Sequence, residues 1–557
     1  MKITDRNAQL KANLEAMATN NRVVDVMSIK SEDTVNRQGF KAYSLDDKLR
    51  LIAMLNTLKL QPQFYRDESE QMKELRDLIE RIAVKDAYFV AQAIVYSRCV
   101  GEGMRSVNHL AAALLAPYAS GQEWSKRFYG LFNKKESKNG LVKGGCIYRP
   151  DDMTEIKSVY NAINKEVLSN AMKKGFASVI ENLDGYQLTK YKKNIIDMSN
   201  LVHPNSSKSK ATVTINGKTV KVLDALMQGI KIPADTWEYT NSEAGQEVAK
   251  AVREGKISKS EADKILAEAK NDNWESLLAD GKLGILAALR NIRNMMKNPR
   301  ESVIDAWCKL ITTDGLIRKS LVLPMQIDLA YETVMREFVN VDYSPKVQQA
   351  LLDAYEMSIP NLASVLSGNT CVIVDCSGSM GYPVITNCCG NRMRYSGIRE
   401  TESCSYKAGL IAATICKATN ADVIKFGSEA KYFGFNKNTN VFALAKQIGT
   451  HDYGVTYPYK AFDLMRRMRK SYDRIIFISD NEVNSYNLTS YSYKRYINTV
   501  CSPYIYAIDL AAYGTAPISN ENKVQYYYGY GSQLFDDISK NEFNPNYHID
   551  KISRVVI

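Results

Sequence analysis

Apolar positions along roughly the first 360 residues recur every three or four places. Leu45, Leu49 and Ile52 form one such stripe, and Leu75, Leu78, Ile79 and Ile82 a second. Val90, Ala93 and Ile94 make a third, and Val107, Leu110, Ala111 and Leu114 a fourth. This is the period of helices with one buried face. Ser44-Leu45-Asp46-Asp47 has the form of a capping box at the start of the first. Short polar breaks separate the stripes, which predicts stacked helix pairs, an α-solenoid. Such a stack curves, and presents a concave surface or closes into a ring. Val213–Val222 reads as a small hairpin around Asn216-Gly217. The polar, charged stretch 242–273 reads as a helical surface insertion.

From about residue 360 the period changes. Short apolar runs at Cys371–Asp375, Asp422–Phe426, Arg474–Asp480 and Tyr504–Leu510 predict buried strands, with an edge strand near Tyr432. Helical patterns fall between them at Tyr406–Ala418, Val441–Ile448 and Tyr459–Ser471, then after the third buried strand and in GSQLFDDISK. This alternation predicts an open, mostly parallel, doubly wound α/β sheet with helices on both faces. The expected division is therefore 1–360 helical and 361–557 α/β.

Composition narrows the function classes. Of 557 residues, 45% are hydrophobic and 24% charged, as in ordinary globular chains. No run reaches the length of a membrane span, and the start MKITDRNAQLKANLE lacks the apolar core of a signal peptide. The ten cysteines show no C-x-x-C pair, so they read as reduced thiols in a cytoplasmic protein. Four histidines give little scope for histidine acid–base chemistry or a histidine-ligated zinc. Neither a phosphate-binding P-loop nor a nucleophile elbow is present. A net charge of +12 favours a polyanionic partner such as RNA.

Candidate chemistry gathers where a strand ends. Cys371–Val374 leads into Asp375-Cys376-Ser377-Gly378-Ser379, one carboxylate and two hydroxyls on a turn. Oxygen ligands of this kind suit a hard divalent cation, Mg²⁺ first and Mn²⁺ or Ca²⁺ next. The pattern resembles the D-x-S-x-S loop of the metal-ion-dependent adhesion site in von Willebrand factor A domains. In open α/β sheets ligands sit beyond the carboxyl ends of strands. Asp480 also closes a predicted strand, and Thr456 lies in a loop before a helix. The candidate metal site is thus Asp375, Ser377, Ser379, Thr456 and Asp480. The plainer reading is a serine-rich turn, a helix cap and a turn hydroxyl. Ser377 and Ser379 have no evident base, so they read as ligands rather than nucleophiles. Between them and the next helix, Gly381–Ser405 carries Cys388, Cys389 and Cys404 with Arg392, Arg394 and Arg399. Adjacent cysteines are awkward tetrahedral zinc ligands, so this reads as a loop over the metal site.

Basic residues cluster in the helical part. Arg98 and Arg105 bracket two glycines, and Lys190, Lys192 and Lys193 interleave with Tyr186 and Tyr191. Arg290, Arg293 and Lys297 form a stripe beside Ile285, Leu289, Ile292 and Met296, and Arg318 and Lys319 follow. Cations beside aromatics suit phosphate contact and base stacking. Taken alone, each cluster reads more readily as a solvated helix face.

The combination resembles the Ro 60 kDa autoantigen family, the TROVE-module proteins. The stretches that carry this are GKLGILAALRNIRNMM, RKSLVLPMQIDLAYET, MRSVNHLAAALLA, CIYRPDDMTEI, YQLTKYKK, DCSGSM and FISDNE. The resemblance implies a single-chain ring of HEAT-like helical repeats with a von Willebrand factor A domain, and no enzymatic activity. It implies that single-stranded 3′ ends of misfolded noncoding RNA enter a basic hole. Y-like small RNAs would bind the outer surface and tether an exoribonuclease. Lys190 and Lys192 match the family's Y-RNA contact lysines, while its arginine falls at Asn194 and its histidine near Asn200 or His203. Arg290 matches the arginine of the "LlRN" segment. The expected function is RNA binding in noncoding-RNA quality control. The alternative is a metal-dependent protein-interaction scaffold, which would hold a partner's carboxylate and no RNA.

Overall fold

The computed structural model describes residues 33–557 apart from 102, 133–134, 137–140, 165–166, 216, 231, 233–247, 249, 314, 321, 323, 359–365, 367, 387–391, 395–401, 437, 451–453, 486–487, 520–522, 530–533, 535–537 and 539–546. They fall into two compact units. One holds the described residues of Met1–Tyr118, Ser137–Val142 and Asn361–Val556; the other holds those of Ala119–Glu136, Lys143–Pro360 and Ile557. The contacts thus join the first hundred or so residues to the α/β part, where the periodicity suggests a single break at 360. Backbone pairing and burial explain this. Strand Lys41–Ser44 pairs antiparallel with Thr34–Val35 on one side and Thr515–Ala516 on the other. The buried Arg66 guanidinium donates to the Ala511 carbonyl at 2.6 Å.

The first unit is built on a six-stranded sheet. Its strands in chain order are β1 (Thr370–Asp375), β2 (Asp422–Phe426), β3 (Ala430–Tyr432), β4 (Arg474–Ser479), β5 (Tyr504–Asp509) and β6 (Val524–Tyr528). They lie in the order β3-β2-β1-β4-β5-β6, all parallel except the antiparallel edge strand β3. Every residue of β1 and β4 is buried, as a parallel strand covered on both faces requires. Strand β6, VQYYY, lacks the β-branched run that marks β1 and β4 and is not evident from periodicity. Helices Cys404–Ala418 and Val441–Ile448 begin at side-chain caps: the Ser403 hydroxyl accepts from Tyr406 N at 3.1 Å, and Asn440 Oδ1 from Ala443 N at 2.8 Å.

Capping differs from expectation at the first helix, Asp47–Thr57. Its N-cap is Asp46, which accepts from Lys48 N at 2.8 Å. Ser44 instead ends a strand, and its hydroxyl donates to Asp33 Oδ2 at 2.8 Å. The second and third apolar stripes share one run, Glu68–Cys99. It kinks at Asp86 (φ −152°, ψ 67°), whose carboxylate accepts from Phe89 N and so caps the second half.

The second unit is helical, and its later part shows the repeat most clearly. Helix Ile285–Met295 packs on Pro324–Glu337, while Glu301–Ile311 packs on Ser344–Ser358. Leaving out the single turn Leu316–Lys319, each helix thus meets the one two places on, the stacking of a solenoid. The Trp307 indole ties Glu301–Ile311 to Ile285–Met295 by donating to the Ala288 carbonyl at 3.0 Å. Strands Thr212–Ile215 and Lys218–Lys221 form the expected hairpin, and Lys259–Ala279 is a capped helix in the polar insertion. Helix Asn170–Asn182 meets Ser125–Gly130 with glycine against glycine. A Cβ on Gly175 would stand 2.7 Å from the Tyr129 Cβ. Gly175→Ala is accordingly expected to cost about 1–3 kcal/mol by overpacking, read as a lower urea midpoint at unchanged slope.

Candidate metal centre and nucleic-acid interface

β1 and β4 lie side by side, but the chain continues from β1 to β2 on one side and from β4 to β5 on the other. Loops leaving them in opposite directions open a crevice at their carboxyl ends. Asp375 is the last residue of β1, and Asp480 is the first after β4. Asp375 is fully buried; its Oδ1 accepts from Ser377 N at 2.9 Å and its Oδ2 from the Ser479 hydroxyl at 2.6 Å. The Ser377 and Ser379 hydroxyl oxygens are 3.4 Å apart. Asp480 Oδ1 accepts from Glu482 N at 3.1 Å, and the Ser379 hydroxyl also bonds this carboxyl. The Thr456 loop is tied in by backbone. Gly378 N donates to the Gly454 carbonyl at 3.0 Å, and Thr456 and Asn484 exchange two bonds of 2.9 Å. All five expected metal-site residues therefore meet at one sheet edge.

The electrostatics of that edge bear on its chemistry. Burial pushes the Asp375 carboxyl up to about 6. Burial, and then the Asp375 charge, push Asp480 well above the ordinary carboxylate range. Two buried carboxyls, with the charge of Asp375 opposing the ionisation of Asp480, and the Ser377 and Ser379 hydroxyls form an all-oxygen set, with the buried Thr456 on the adjoining loop. A divalent cation would relieve that repulsion, so the residues present fit one. Among the described residues no group of three or more His, Cys, Asp or Glu could hold a metal, so the hydroxyls would have to complete the shell.

Several residues at this edge escape sequence reasoning. Asn481 adopts the left-handed region (φ 66°), which asparagine tolerates and which turns the chain sharply after Asp480. Glu482 is buried and pushed up to about 7 by burial; it accepts from Arg37 N at 2.9 Å and from the Thr515 hydroxyl at 3.1 Å. Asn36 Nδ2 donates to the Val483 carbonyl at 2.7 Å, Asn484 Nδ2 donates to Gln38 Oε1, and Gln38 Nε2 donates to the Tyr65 hydroxyl. Tyr65 in turn hydrogen-bonds Ser379. The segment around 36–38 and 64–66 thus covers one flank of the edge. FISDNE marks Asp480 and Glu482, but no local pattern announces the covering residues. Cys388, Cys389 and Arg399 lie outside the described residues, as do the side chains of Arg392 and Arg394.

The basic residues distribute unevenly. In the second unit Lys190 sits 5.4 Å from the Tyr186 ring centre, and its ammonium donates to the Tyr186 hydroxyl at 3.2 Å. Lys192 and Lys193 open the next helix and are exposed. Arg149 donates to the Tyr191 hydroxyl at 3.5 Å, which brings a fourth cation to this strip. Arg290 and Arg293 are exposed on Ile285–Met295, but Arg293 pairs with Glu337 at 2.6 Å. In the first unit Arg105 is half-buried. Arg98 is 5% exposed beside the Gly103 carbonyl, so this guanidinium is not on an open basic face. The Arg318 side chain lies outside the described residues.

No protein-family model matches the chain, and no curated protein sequence matches it. Among solved structures, the crystal structure of the Deinococcus radiodurans Ro (RSR) protein matches with a TM-score of 0.52 and 14% identity. The match covers 89% of this chain and 100% of that one. The chain has the fold of a Ro protein. Helical repeats plus an α/β sheet are thus the observed architecture as well as the expected one. Within this Ro fold the Asp375–Asp480 edge belongs to the first unit and the Tyr186–Lys193 strip to the second.

Proposed function

We propose that this chain binds noncoding RNA, with the strip of Arg149, Lys190, Lys192 and Lys193 as a phosphate-contacting surface. The observation that carries this reading is the strip itself: cations and two tyrosines on consecutive short helices, with Lys192 and Lys193 exposed. Lysines and arginines hold phosphates without reading bases, so shape and ends matter more than sequence. The Ro fold adds the finer proposal. Structured, Y-like RNA lies on this strip, and single-stranded 3′ ends of misfolded RNA enter the central hole that the resemblance implies. Arg105, Arg290 and Arg293 are further candidate contacts, Arg293 after release from Glu337.

The test is the triple variant Lys190→Glu, Lys192→Glu, Lys193→Glu with a structured RNA carrying a 3′ tail. Affinity is expected to fall at least about tenfold at moderate salt. The slope of log affinity against log salt should shrink by about 2–3, close to one per lost phosphate contact. Unchanged affinity and slope would remove the strip from the interface.

A second reading concerns the sheet edge. Asp375, Ser377, Ser379, Thr456 and Asp480 would hold a divalent cation, Mg²⁺ by ligand type. The cation would supply an electrophilic point that grips an anionic oxygen of a partner. The clustering of two buried carboxyls and three hydroxyls favours this reading.

A further inference from the structure

Helices Tyr459–Arg467 and Leu488–Thr499 pack together and lead back to the amino ends of β4 and β5, the sheet edge opposite Asp375 and Asp480. Phe462 packs against Tyr493 and Tyr496, with ring centres 5.6 and 6.3 Å apart. The Tyr496 hydroxyl donates to the Lys470 carbonyl at 2.8 Å, so the two helices end side by side. The first ends in Arg466-Arg467-Met468-Arg469-Lys470, and Arg495 lies near the end of the second. Neither that run nor the second helix, LTSYSYKRYINT, contains an acid.

Part of this charge is neutralised locally. Arg466 pairs with Asp463 at 3.6 Å and Lys470 with Asp422 at 3.3 Å. Arg467, Arg469 and Arg495 are exposed, and none of them has an ion pair among the described residues. Cations in the last turn of a helix complement its negative end, which accounts for Arg466 and Arg467. It does not account for Arg469. There the helix closes in a Schellman turn: Arg469 N donates to the Arg466 carbonyl at 3.1 Å, and Lys470 N to the Met465 carbonyl at 3.0 Å. Arg469 takes the left-handed conformation this turn requires (φ 47°). Glycine fits that position without strain, so an arginine is kept there against the backbone's preference. Arg495 is placed differently. Its guanidinium lies 5.4 Å from the centre of the Tyr491 ring, and Tyr491 is 56% exposed. Tyr186 and Lys190 show the same spacing of four residues, also at 5.4 Å.

We propose that Arg467, Arg469, Arg495 and Tyr491 form a second RNA-contacting surface, in the first unit, that holds an unpaired stretch of RNA. This rests on the RNA-binding reading above but on a different part of the chain. Guanidinium groups bond phosphate oxygens in pairs, which lysines cannot do. The exposed tyrosine offers a face on which an unpaired base stacks. A base inside a duplex has no free face, so the surface selects single strands.

Fluorescence anisotropy of the full chain with a short uridine oligomer tests this. The triple variant Arg467→Glu, Arg469→Glu, Arg495→Glu is expected to weaken the oligomer at least about tenfold. Its slope of log affinity against log salt should shrink by about 2, the value for three phosphate contacts on a single strand. Tyr491→Ala should weaken the oligomer about fivefold or more and leave the slope unchanged. Arg469→Gly is the most telling single change: it should raise the urea midpoint, because the strain is removed, and still weaken the oligomer. Wild-type affinity in both the triple variant and Arg469→Gly would overturn the proposal. The variant Lys190→Glu, Lys192→Glu, Lys193→Glu separates the two surfaces. If it abolishes binding while the arginine variants bind as wild type, the strip stands and this surface falls. If the arginine variants weaken binding and the lysine variant does not, the strip falls and this surface stands. Phosphatidylserine vesicles that bind the wild type more tightly than the oligomer does, and lose that binding in the triple arginine variant, would also overturn it, since the partner would then be a membrane.

Discussion

Alanine at position 409 is expected to destabilise the first unit by about 3 kcal/mol or more, the upper end of overpacking costs. A Cβ there would lie 2.1 Å from the Ala445 carbonyl oxygen and 2.9 Å from Gly449 N. Both obstacles are backbone, so no side chain can rotate away. Gly409 is what lets Cys404–Ala418 and Val441–Ile448 approach this closely. The Cys404–Ala418 helix starts beside Ser379 and Asp480, so the damage should reach the candidate site. Gly449→Ala should behave alike, with its Cβ 2.4 Å from the Ser405 carbonyl oxygen. Gly434→Ala, where nothing lies within 4 Å, serves as control. Urea unfolding measures all three. A Gly409→Ala midpoint equal to that of Gly434→Ala would mean that the helices separate without cost.

Magnesium is expected to stabilise the wild-type chain and to leave Asp375→Asn unmoved. A ligand bound only by the folded state adds about 2.7 kcal/mol at one hundred times its dissociation constant. The gain should be large here because the cation also removes the mutual repulsion of Asp375 and Asp480. Thermal unfolding with EDTA and with increasing MgCl₂ reads this directly. Thr456→Ala should shift the magnesium midpoint without abolishing the response, since one neutral hydroxyl is lost rather than a charge. An equal shift in wild type and Asp375→Asn would locate the magnesium effect elsewhere on the molecule.

Legibility followed the range of the interactions. CVIVDCSGSM could be read from its own ten residues, because a buried β-branched strand and the turn after it are local. The same holds for Asp480 at the end of RIIFIS and for the four apolar helix stripes between Leu45 and Leu114. Strand β6 was hidden because its burial comes from tyrosines, which occupy cores and surfaces alike. The first helix cap shifted from Ser44 to Asp46 because Ser44 was taken up by strand pairing, a non-local demand.

The amino-acid pattern alone determined that helical repeats precede an alternating sheet, and that carboxylates and hydroxyls end two of its strands. Periodicity and turn chemistry act within a few residues, so they survive in the bare sequence. Only the tertiary structure decided that β1 and β4 are neighbours, which sets Asp375 against Asp480 across more than a hundred residues. It likewise brought Gln38 and Tyr65 from the start of the chain to that edge. Such meetings depend on which buried faces find one another once the chain is closed, and no short stretch encodes that choice.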